Sequence, residues 1–458
     1  MKMVERSMPV GQITDRLDDL PLTRRHWRVI LGGAAVFAAA VHNVMIVAFV
    51  LARLFREWSL SPVQVGLVNS LAIVGMLAGS LTGGYLADRF GRKPAILGSL
   101  IMACTFSALS AVAWDLLSFI LFRMLAGAGG AAAFATTPIL LAEFSPRRTR
   151  GRIMILTEVA WALGASLAAL VGYEIIPAFG WRVALVVGGL PLLALPAFFW
   201  AISESPRFLI GKGKVREAVE IVRSFEVAAG RPALASLEGI EIRYESRSGS
   251  PDTSAIRRVW KPRFRRQTLV LWALWFSVNS TYFGVYTWLP SLMVARGIGE
   301  ESSFAWNLYM SAMLAPGAVI GGFLADHWGR KATITLTLIC NGIATFFFGL
   351  TATPTTFLVW GGLFALSHQA IWVATMAYTN EMYPSDIRAQ GASYAAATGR
   401  VGSIIAPYAI GSLMAGLGAE LGYTVSFSMF ALLLFLGGFL VLGLGIETRG
   451  RSLEELTT

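Results

Sequence analysis

The sequence contains few charged residues for its length. Charged residues make up 14% of the 458 residues and hydrophobic residues 55%, whereas a soluble protein of this size is about one quarter charged. This composition argues against a series of soluble domains. Apolar runs of about 20 residues, the length that crosses a bilayer as a helix, indicate a polytopic membrane protein instead.

Cysteines and nucleotide-binding motifs are also scarce. The chain has two cysteines, Cys104 and Cys340, and both lie inside apolar runs, so neither a disulfide framework nor a metal site is expected. It has no Gly-x-x-x-x-Gly-Lys-Ser/Thr loop, which argues against ATP as a driving force. The sequence therefore predicts no cofactor, no metal site and no enzymatic activity.

Positive charge is abundant by comparison, and its location indicates membrane topology rather than a nucleic-acid partner. With the N-terminus in the cytoplasm, the 38 Lys and Arg residues fall on the cytoplasmic side except for Arg53, Arg56, Arg182 and Arg296 outside, and Arg123 and Arg400 within helices. Because cytoplasmic loops are rich in Lys and Arg, we predict a protein of the inner (plasma) membrane with both termini in the cytoplasm. The polar start of the chain and the long first apolar run predict no cleaved signal peptide.

Twelve apolar segments occur as six plus six. They lie near residues 29–51, 64–87, 94–113, 116–142, 152–176, 182–202, 268–293, 304–325, 332–351, 355–380, 389–416 and 421–446. The predicted fold is an all-α membrane protein with twelve transmembrane helices in two pseudo-symmetric six-helix bundles. The predicted domains are an N-terminal bundle at 1–202, a cytoplasmic linker at 203–266 and a C-terminal bundle at 267–458.

The linker contains three kinds of sequence. Residues 212–229 place apolar side chains at helical spacing between charges, which predicts an amphipathic helix against the membrane or the cytoplasmic face. Residues 246–253 are polar with Gly and Pro and predict a flexible linker. The basic run at 257–266 is interpreted as a juxtamembrane contact with the lipid bilayer.

Two motifs repeat at one offset. Gly-Gly-Tyr-Leu-Ala-Asp-Arg-Phe-Gly-Arg-Lys at 83–93 returns as Gly-Gly-Phe-Leu-Ala-Asp-His-Trp-Gly-Arg-Lys at 321–331, and Glu-Phe-Ser-Pro at 143–146 returns as Glu-Met-Tyr-Pro at 381–384. Two independent motifs that share an offset indicate an internal repeat. The chain is interpreted as two copies of one structural half.

The repeated loop resembles the signature loop of the major facilitator superfamily. Further matches are Arg123-x-x-x-Gly127-x-Gly129, Glu204-Ser-Pro-Arg207 and Glu447-Thr-Arg-Gly450. A narrower resemblance, to the bacterial niacin and metabolite:proton symporters related to synaptic vesicle protein 2, rests on Leu156 to Gly164, Tyr282 to Gly284, Trp288 to Pro290, Gly399 to Gly402 and Pro407. The superfamily resemblance implies alternating access, with a substrate site at midplane between two halves.

The resemblance assigns a gating role to both signature loops. The implied gating residues are Gly84, Asp88, Arg89, Arg92, Glu143, Arg150, Gly322, Asp326, Arg330, Glu381 and Arg388. Gly84 and Gly322 are expected to let two helices approach closely. The aspartates are expected near the positive N-terminus of a neighbouring helix and near arginines. His327 replaces Arg89 in the second copy, which predicts two locks of unequal strength. A simpler interpretation, that the arginines only fix topology, is compatible with gating.

Charged residues inside apolar segments are costly and are usually retained for function. Arg400 lies near the predicted midplane and is interpreted as a substrate contact, because guanidinium matches a carboxylate bidentately. The alternative is a structural ion pair with Glu158. Glu158 is the predicted proton carrier, since burial favours a protonated carboxyl group and a nearby arginine favours the ionised form. Its alternative is a structural helix contact.

Other polar and aromatic residues complete the predicted site. Arg123 is given a structural or coupling role. His42 stands beside Asn43, where close relatives often carry an acid, so proton coupling rests on Glu158, on His42 or on neither. His368 and Gln369 are interpreted as a satisfied polar pair between helices. Aromatic and amide side chains suit a flat organic ligand. The predicted substrate-binding residues are Arg400, Glu158, Trp161, Asn43, Asn279, Tyr282, Tyr286, Gln369 and Trp372.

These features predict a monomeric secondary transporter of a small organic anion, such as the aromatic carboxylate nicotinate, with proton symport as the coupling. Two alternatives remain open: a proton-coupled efflux antiporter for drugs or organic cations, and a binding or sensor homologue that does not transport. Arg400 favours an anion over a cation. The presence of both gating loops favours a protein that moves.

Overall fold

The computed structural model describes residues 8–232, 242–243, 258–295, 299–351, 353–384 and 387–450. Its helices are α1 (Val10–Asp18), α2 (Arg24–Glu57), α3 (Pro62–Phe90), α4 (Arg92–Ser110), α5 (Leu116–Glu143), α6 (Arg150–Phe179), α7 (Trp181–Val187), α8 (Leu195–Ala201), α9 (Pro206–Gly211), α10 (Val215–Ala228), α11 (Pro262–Ala295), α12 (Glu300–Trp328), α13 (Arg330–Leu350), α14 (Pro354–Glu381), α15 (Arg388–Leu417) and α16 (Ala419–Leu444). A two-residue strand β1 (Met8–Pro9) pairs in parallel with β2 (Ile242–Arg243).

Eleven helical stretches of the described chain are long and apolar enough to cross a membrane. One of them, Trp181–Ala201, combines α7, a 3-10 turn at Leu190–Ala194 and α8. Pro191 and Pro196 interrupt this stretch because proline cannot donate a backbone hydrogen bond. The twelfth long helix, α11, has 34 residues and carries Ser277, Asn279, Ser280 and Thr281 in its middle. With α11 included, the architecture is the predicted twelve-helix fold.

The two halves repeat one pattern of helix packing. In the first half α2 packs on α6, and α5 packs on α3 and α4; in the second half α11 packs on α15, and α14 packs on α12 and α13. The halves meet where α3 contacts α15, α6 contacts α12 and α2 contacts α11. The sequence repeat therefore corresponds to a repeat of the helix packing in the two halves.

Helices α1, α9 and α10 pack on one another, and α10 also contacts α2. The predicted amphipathic helix is α10, and its apolar residues Val219, Val222 and Phe225 share a core with Ile13 and Leu17 of α1. Its apolar side is therefore buried against protein rather than lipid. The predicted linker at 246–253 lies outside the described residues.

Close packing between helices depends on Gly83 and Gly321, each of which is one residue before the glycine that the sequence indicated. A Cβ on Gly83 would lie 2.7 Å from Ala132 Cα, and one on Gly321 would lie 2.5 Å from Ala370 Cα. A Cβ on Gly84 would meet nothing within 4 Å, and one on Gly322 would meet only Val373 at 3.9 Å. The expectation for Gly84 and Gly322 is wrong in this conformation, because a step of one residue rotates a position about 100° around the helix.

A glycine-to-alanine pair on α3 tests this packing. A Cβ on Gly79 would lie 1.9 Å from Ala128 O and 2.5 Å from Ala128 Cα, so the helices must separate to accept it. We expect Gly79→Ala to lower the free energy of unfolding by about 1–3 kcal/mol, and Gly84→Ala to leave it unchanged. Thermal unfolding of the purified variants in detergent measures the difference. Equal midpoints for the two variants would contradict the packing described.

Asp18 at the end of α1 joins the N-terminal helix to the first half. Its carboxylate is 4% exposed and accepts hydrogen bonds from Arg147 (3.3 Å), Arg150 (2.8 Å) and Arg207 (3.0 Å). Arg147 also pairs with Asp15. The hydrogen bond to Asp18 and the charge of Asp15 raise the pKa of the Arg147 guanidinium above its ordinary value. Sequence reasoning gave no role to α1, which is here held by three arginines.

We expect Asp18→Asn to loosen α1 from the bundle. A buried charge-assisted hydrogen bond contributes about 1.5–3 kcal/mol, so trypsin should cleave after Arg16 about tenfold faster or more. Asp19→Asn is the matched control, because Asp19 is exposed one position further along the chain. Identical cleavage rates in the two variants would show that Asp18 does not hold α1.

Candidate functional site

A cavity of about 560 Å³ lies between the two halves, within the size range of small-molecule sites. Helices α2, α5 and α6 line one side, and α11, α14 and α15 line the other. We call the end of the bundle that carries Arg92, Arg150 and Arg330 the basic end. The cavity lining extends to Gly151 and Asn380, which are exposed near this end.

The opposite end is closed by contacts between the halves. Ser70 Oγ donates to Ile404 O at 2.7 Å, and Arg56 Nη2 donates to Val294 O at 3.3 Å. A Cβ on Gly66 would lie 2.7 Å from Pro407 O. The halves therefore touch backbone to backbone here, and the cavity is closed at this end and open toward the basic end.

Glu158 of α6 connects the halves across the cavity. Its Oε2 accepts a hydrogen bond of 2.9 Å from Gln369 Nε2 of α14, and the side chain of Trp372 on the same helix lies close enough to interact with this carboxylate. Three predicted substrate-binding residues are thus brought together. The Glu158–Gln369 bond crosses between the halves and therefore ties them together at this level of the cavity.

Arg400 of α15 lines the same cavity as Glu158. Among the described residues it makes no ion pair and no hydrogen bond, and no neighbouring charge acts on it. The structural ion pair with Glu158, the alternative that the sequence left open, is absent from this conformation. A guanidinium without a protein partner at a cavity wall is available to an anionic ligand.

Aromatic side chains form a continuous wall. Trp161 Nε1 donates to Tyr282 Oη at 2.9 Å across the two halves, and the Tyr282 and Tyr286 rings lie 4.6 Å apart. Phe134 packs 5.1 Å from Trp161. Trp161 and Tyr282 face the cavity, whereas Tyr286 is buried behind Tyr282 and is absent from the lining.

Like Tyr286, two further predicted substrate contacts do not reach the cavity. Asn43 Nδ2 donates to Ala39 O and Gly188 O inside the first half. Asn279 donates to Trp275 O and fills the space left by the missing side chain of Gly399. Both amides satisfy backbone carbonyls within their own half, which is how buried amides are normally accommodated.

Arg123 and His42 also lie away from the cavity, in the core of the first half. Arg123 is 1% exposed and donates to Asn43 O and to Ser107 Oγ. It thus ties α5 to α2 and α4, and His42 is close enough to interact with its charge. This placement fits the structural or coupling role predicted for Arg123, and both that role and proton coupling through His42 stay predictions.

His368 lines the cavity, although the sequence analysis did not assign it to the substrate site. With Gln369 it was interpreted as a satisfied polar pair between helices, but both of its ring nitrogens are buried without a hydrogen-bond partner among the described residues. The ring stacks between Tyr282 at 5.1 Å and Phe364 at 5.5 Å. Of the two residues, only Gln369 makes a hydrogen bond between helices, to Glu158; adjacent helix residues point in different directions, so the two side chains have different surroundings.

The signature loops form matching charge clusters. Arg92 pairs with Asp88 at 3.1 Å and with Glu143 at 3.7 Å. In the second half Arg330 pairs with Asp326 at 3.4 Å and with Glu381 at 3.2 Å. Each cluster lies within one half, as expected where the halves are apart.

The helix N-termini next to these clusters are occupied by glutamates rather than by the predicted aspartates. Glu204 accepts from the backbone N–H of Arg92 at 2.8 Å, and Glu447 from that of Arg330 at 2.9 Å. A carboxylate is favourable at this position because the N–H groups of the first turn have no helical partner. Asp88 and Asp326 are instead 76% and 72% exposed.

The remaining predicted gating residues differ between the halves. Arg89 donates to Tyr85 Oη at 2.7 Å, whereas His327 contacts Phe323 O through Nδ1 at 2.8 Å. Arg150 pairs with Asp18, whereas Arg388 donates only to the carbonyl of Tyr383 among the described residues. The two clusters share a plan but have different surroundings.

Comparisons with known proteins agree with this geometry. A family model described as "Sugar (and other) transporter" matches residues 33–458. The chain is 34% identical to the niacin transporter NiaP of Acinetobacter baylyi, over 97% of this chain and 99% of that protein. It is 31% identical to a putative niacin/nicotinamide transporter NiaP of Bacillus subtilis, over 95% of this chain and 99% of that protein. Its fold is similar to that of the xylose transporter XylE from E. coli in a partially occluded inward-open conformation, with a TM-score of 0.72, 16% identity, and coverage of 93% of this chain and 99% of that one.

Proposed function

Since this chain belongs to the sugar (and other) transporter family of the major facilitator superfamily, we propose that it moves a small organic anion in symport with protons. The chain is a secondary transporter of small organic substrates and not an enzyme. What is proposed is that the substrate is an anion and that its transport is coupled to protons. The observation that carries the proposal is the guanidinium of Arg400, which lines the central cavity without a protein partner.

The cavity wall favours an aromatic carboxylate within this class. Arg400 provides two parallel N–H donors that match a carboxylate, and Trp161, Tyr282 and Trp372 provide flat apolar surfaces for a ring. Nicotinate is a planar aromatic carboxylate, and two similar proteins are named for niacin transport. A ring stacked on the aromatic wall, with its carboxylate on Arg400, uses both features.

Glu158 is the proposed proton carrier. Its carboxylate is held by a donor from the opposite half, Gln369, and charge-assisted hydrogen bonds are about twice as strong as neutral ones. Protonation of Glu158 would weaken this bridge and allow the halves to rearrange. Protons would then be coupled to the same movement that exposes the substrate site to the other side.

We propose that the basic end faces the cytoplasm of a cell with an inner membrane, with both termini on that side, because Lys and Arg are retained on the cytoplasmic side. The state described would then be inward-facing. In the outward-facing state, the exposed carboxylates of Asp88 and Asp326 would contact the opposite half and close the cytoplasmic end. One chain forms the whole cavity, and we propose that the protein works as a monomer.

Binding measurements with matched ligands test the substrate class. We expect purified protein to bind nicotinate and benzoate about a hundredfold more tightly than nicotinamide and benzamide, since each amide keeps the ring but loses the charge paired with arginine. Tetraphenylphosphonium, an organic cation, represents the efflux antiporter. Binding of that cation with no binding of either carboxylate would contradict the proposed function.

A further inference from the structure

A basic and aromatic patch lies on the outer surface of the first half, away from the cavity. Arg28 of α2 stands over the ring of Trp200 at 4.1 Å, and Lys93 of α4 stands over the ring of Phe199 at 3.7 Å. Arg25 is one helical turn before Arg28, and the two charges repel each other. We call Arg25, Arg28, Lys93, Phe199 and Trp200 the α2–α8 patch.

The two arginines of the patch have no counter-ion. Within the described part of the chain neither Arg25 nor Arg28 makes a hydrogen bond or an ion pair, and the Nε atom of each is buried without a partner. The acidic group near Lys93 is Glu204. That carboxylate already accepts backbone N–H groups at the start of α4, so the patch keeps a net positive charge.

The second half shows what an arginine at this position does when it has a structural role. By the offset of the sequence repeat, Arg266 of the second half is the counterpart of Arg28 in the first half. Arg266 donates to the carbonyls of Leu444 and Gly443 at 2.6 and 3.4 Å, at the end of the last helix. Arg28 makes no corresponding bond, because its guanidinium lies on the face of Trp200 instead. The first half therefore leaves Arg28 without the carbonyl partners that Arg266 has.

The aromatic side of the patch is exposed on the outer surface of the bundle. Helix α8 has no buried residue, and Phe199 and Trp200 are 60% and 67% exposed. Trp27 and Leu31 of α2 are also exposed beside it. Tryptophan is enriched at the depth of the lipid headgroups, so the patch combines an interfacial aromatic pair with unpaired guanidinium groups.

We propose that the α2–α8 patch is a binding site for the headgroup of an anionic phospholipid in the leaflet at the basic end. The phosphodiester oxygens accept from Arg25 and Arg28, Lys93 contributes charge, and the acyl chains run along the exposed apolar face of α8. Guanidinium binds phosphate bidentately, and a basic residue near an anionic membrane surface strengthens binding about fivefold. This site is independent of the transport function proposed above.

Native mass spectrometry of the purified full chain, titrated with phosphatidylglycerol or phosphatidylcholine, tests the proposal. We expect one phosphatidylglycerol to bind the wild type more tightly than phosphatidylcholine, and Arg25→Gln/Arg28→Gln to weaken its binding about tenfold or more. Arg216→Gln/Arg223→Gln is the matched control, because it removes the same charge from exposed positions of α10 and should bind as the wild type does.

A second measurement places the lipid. The fluorescence that Trp200 contributes is the difference between the wild type and Trp200→Phe, and brominated phosphatidylglycerol should quench this difference more strongly than brominated phosphatidylcholine does. Equal phosphatidylglycerol affinity in the two double variants would overturn the proposal. Saturation of the site by soluble glycerol phosphate, with no preference for the lipid, would assign it to a free anion and overturn it as well.

Discussion

Replacing Arg400 by glutamine is expected to weaken binding of an aromatic carboxylate about a hundredfold. A charge-assisted bidentate pair contributes about 3 kcal/mol in a buried site, and this free energy corresponds to roughly two orders of magnitude in the dissociation constant. Arg400 lines the cavity and has no protein partner among the described residues, so its loss leaves no acidic side chain unpaired. Equilibrium binding of labelled nicotinate to the purified variant measures the effect.

Two controls separate binding from folding. Arg400→Lys keeps the charge but loses the planar pair of donors, so we expect about a tenfold loss of affinity. The wild type should prefer nicotinate to nicotinamide, and Arg400→Gln should bind the two equally. Full affinity in Arg400→Lys would remove the bidentate argument. A retained preference for the carboxylate in Arg400→Gln would assign anion recognition to another residue.

Replacing Glu158 by glutamine is expected to abolish proton-driven accumulation while leaving exchange of substrate across the membrane. The amide keeps an oxygen that can accept from Gln369, which lies 2.9 Å from Oε2 in the wild type, but it cannot take up a proton. Accumulation under an inward proton gradient should fall to the level without a gradient. Counterflow, in which labelled substrate enters in exchange for unlabelled substrate, should stay within about threefold of wild type because a neutral bridge still allows the halves to move.

The matched control for this variant is Glu174→Gln. Glu174 lies on the same helix, α6, but is exposed outside the cavity, so the same charge change there should not alter gradient-driven uptake. If Glu158→Gln still accumulates substrate against its gradient, Glu158 does not carry the proton. His368, whose ring nitrogens are buried on the cavity wall, would be the next residue to vary.

The sequence was most informative where it repeats and where it breaks the apolar pattern. The repeat of residues 83–93 at 321–331 predicted two equivalent halves, and their helices pack in equivalent pairs. Glu158 and Arg400 stood out because a charge in an apolar segment is costly, and both line the cavity. Residue type was sufficient for these predictions.

Other features depend on the direction in which a helix residue points, which residue type does not reveal. Gly84 and Gly83 are adjacent and chemically identical, but only Gly83 meets the neighbouring helix. Asn43 is polar in an apolar segment, as Glu158 is, yet its amide is used inside its own half. Asp18 finds its arginine partners 129 to 189 positions along the chain, and such pairs follow only from the fold.

The measurement that tests the central claim most directly is uptake of labelled nicotinate into proteoliposomes with and without an inward proton gradient. We predict accumulation above the external concentration under the gradient, loss of that accumulation when a protonophore is added, and competition by benzoate but not by benzamide. Uptake that is the same with and without the gradient would contradict proton symport. Absence of carboxylate uptake in either condition, with export of an organic cation, would contradict the proposed substrate class.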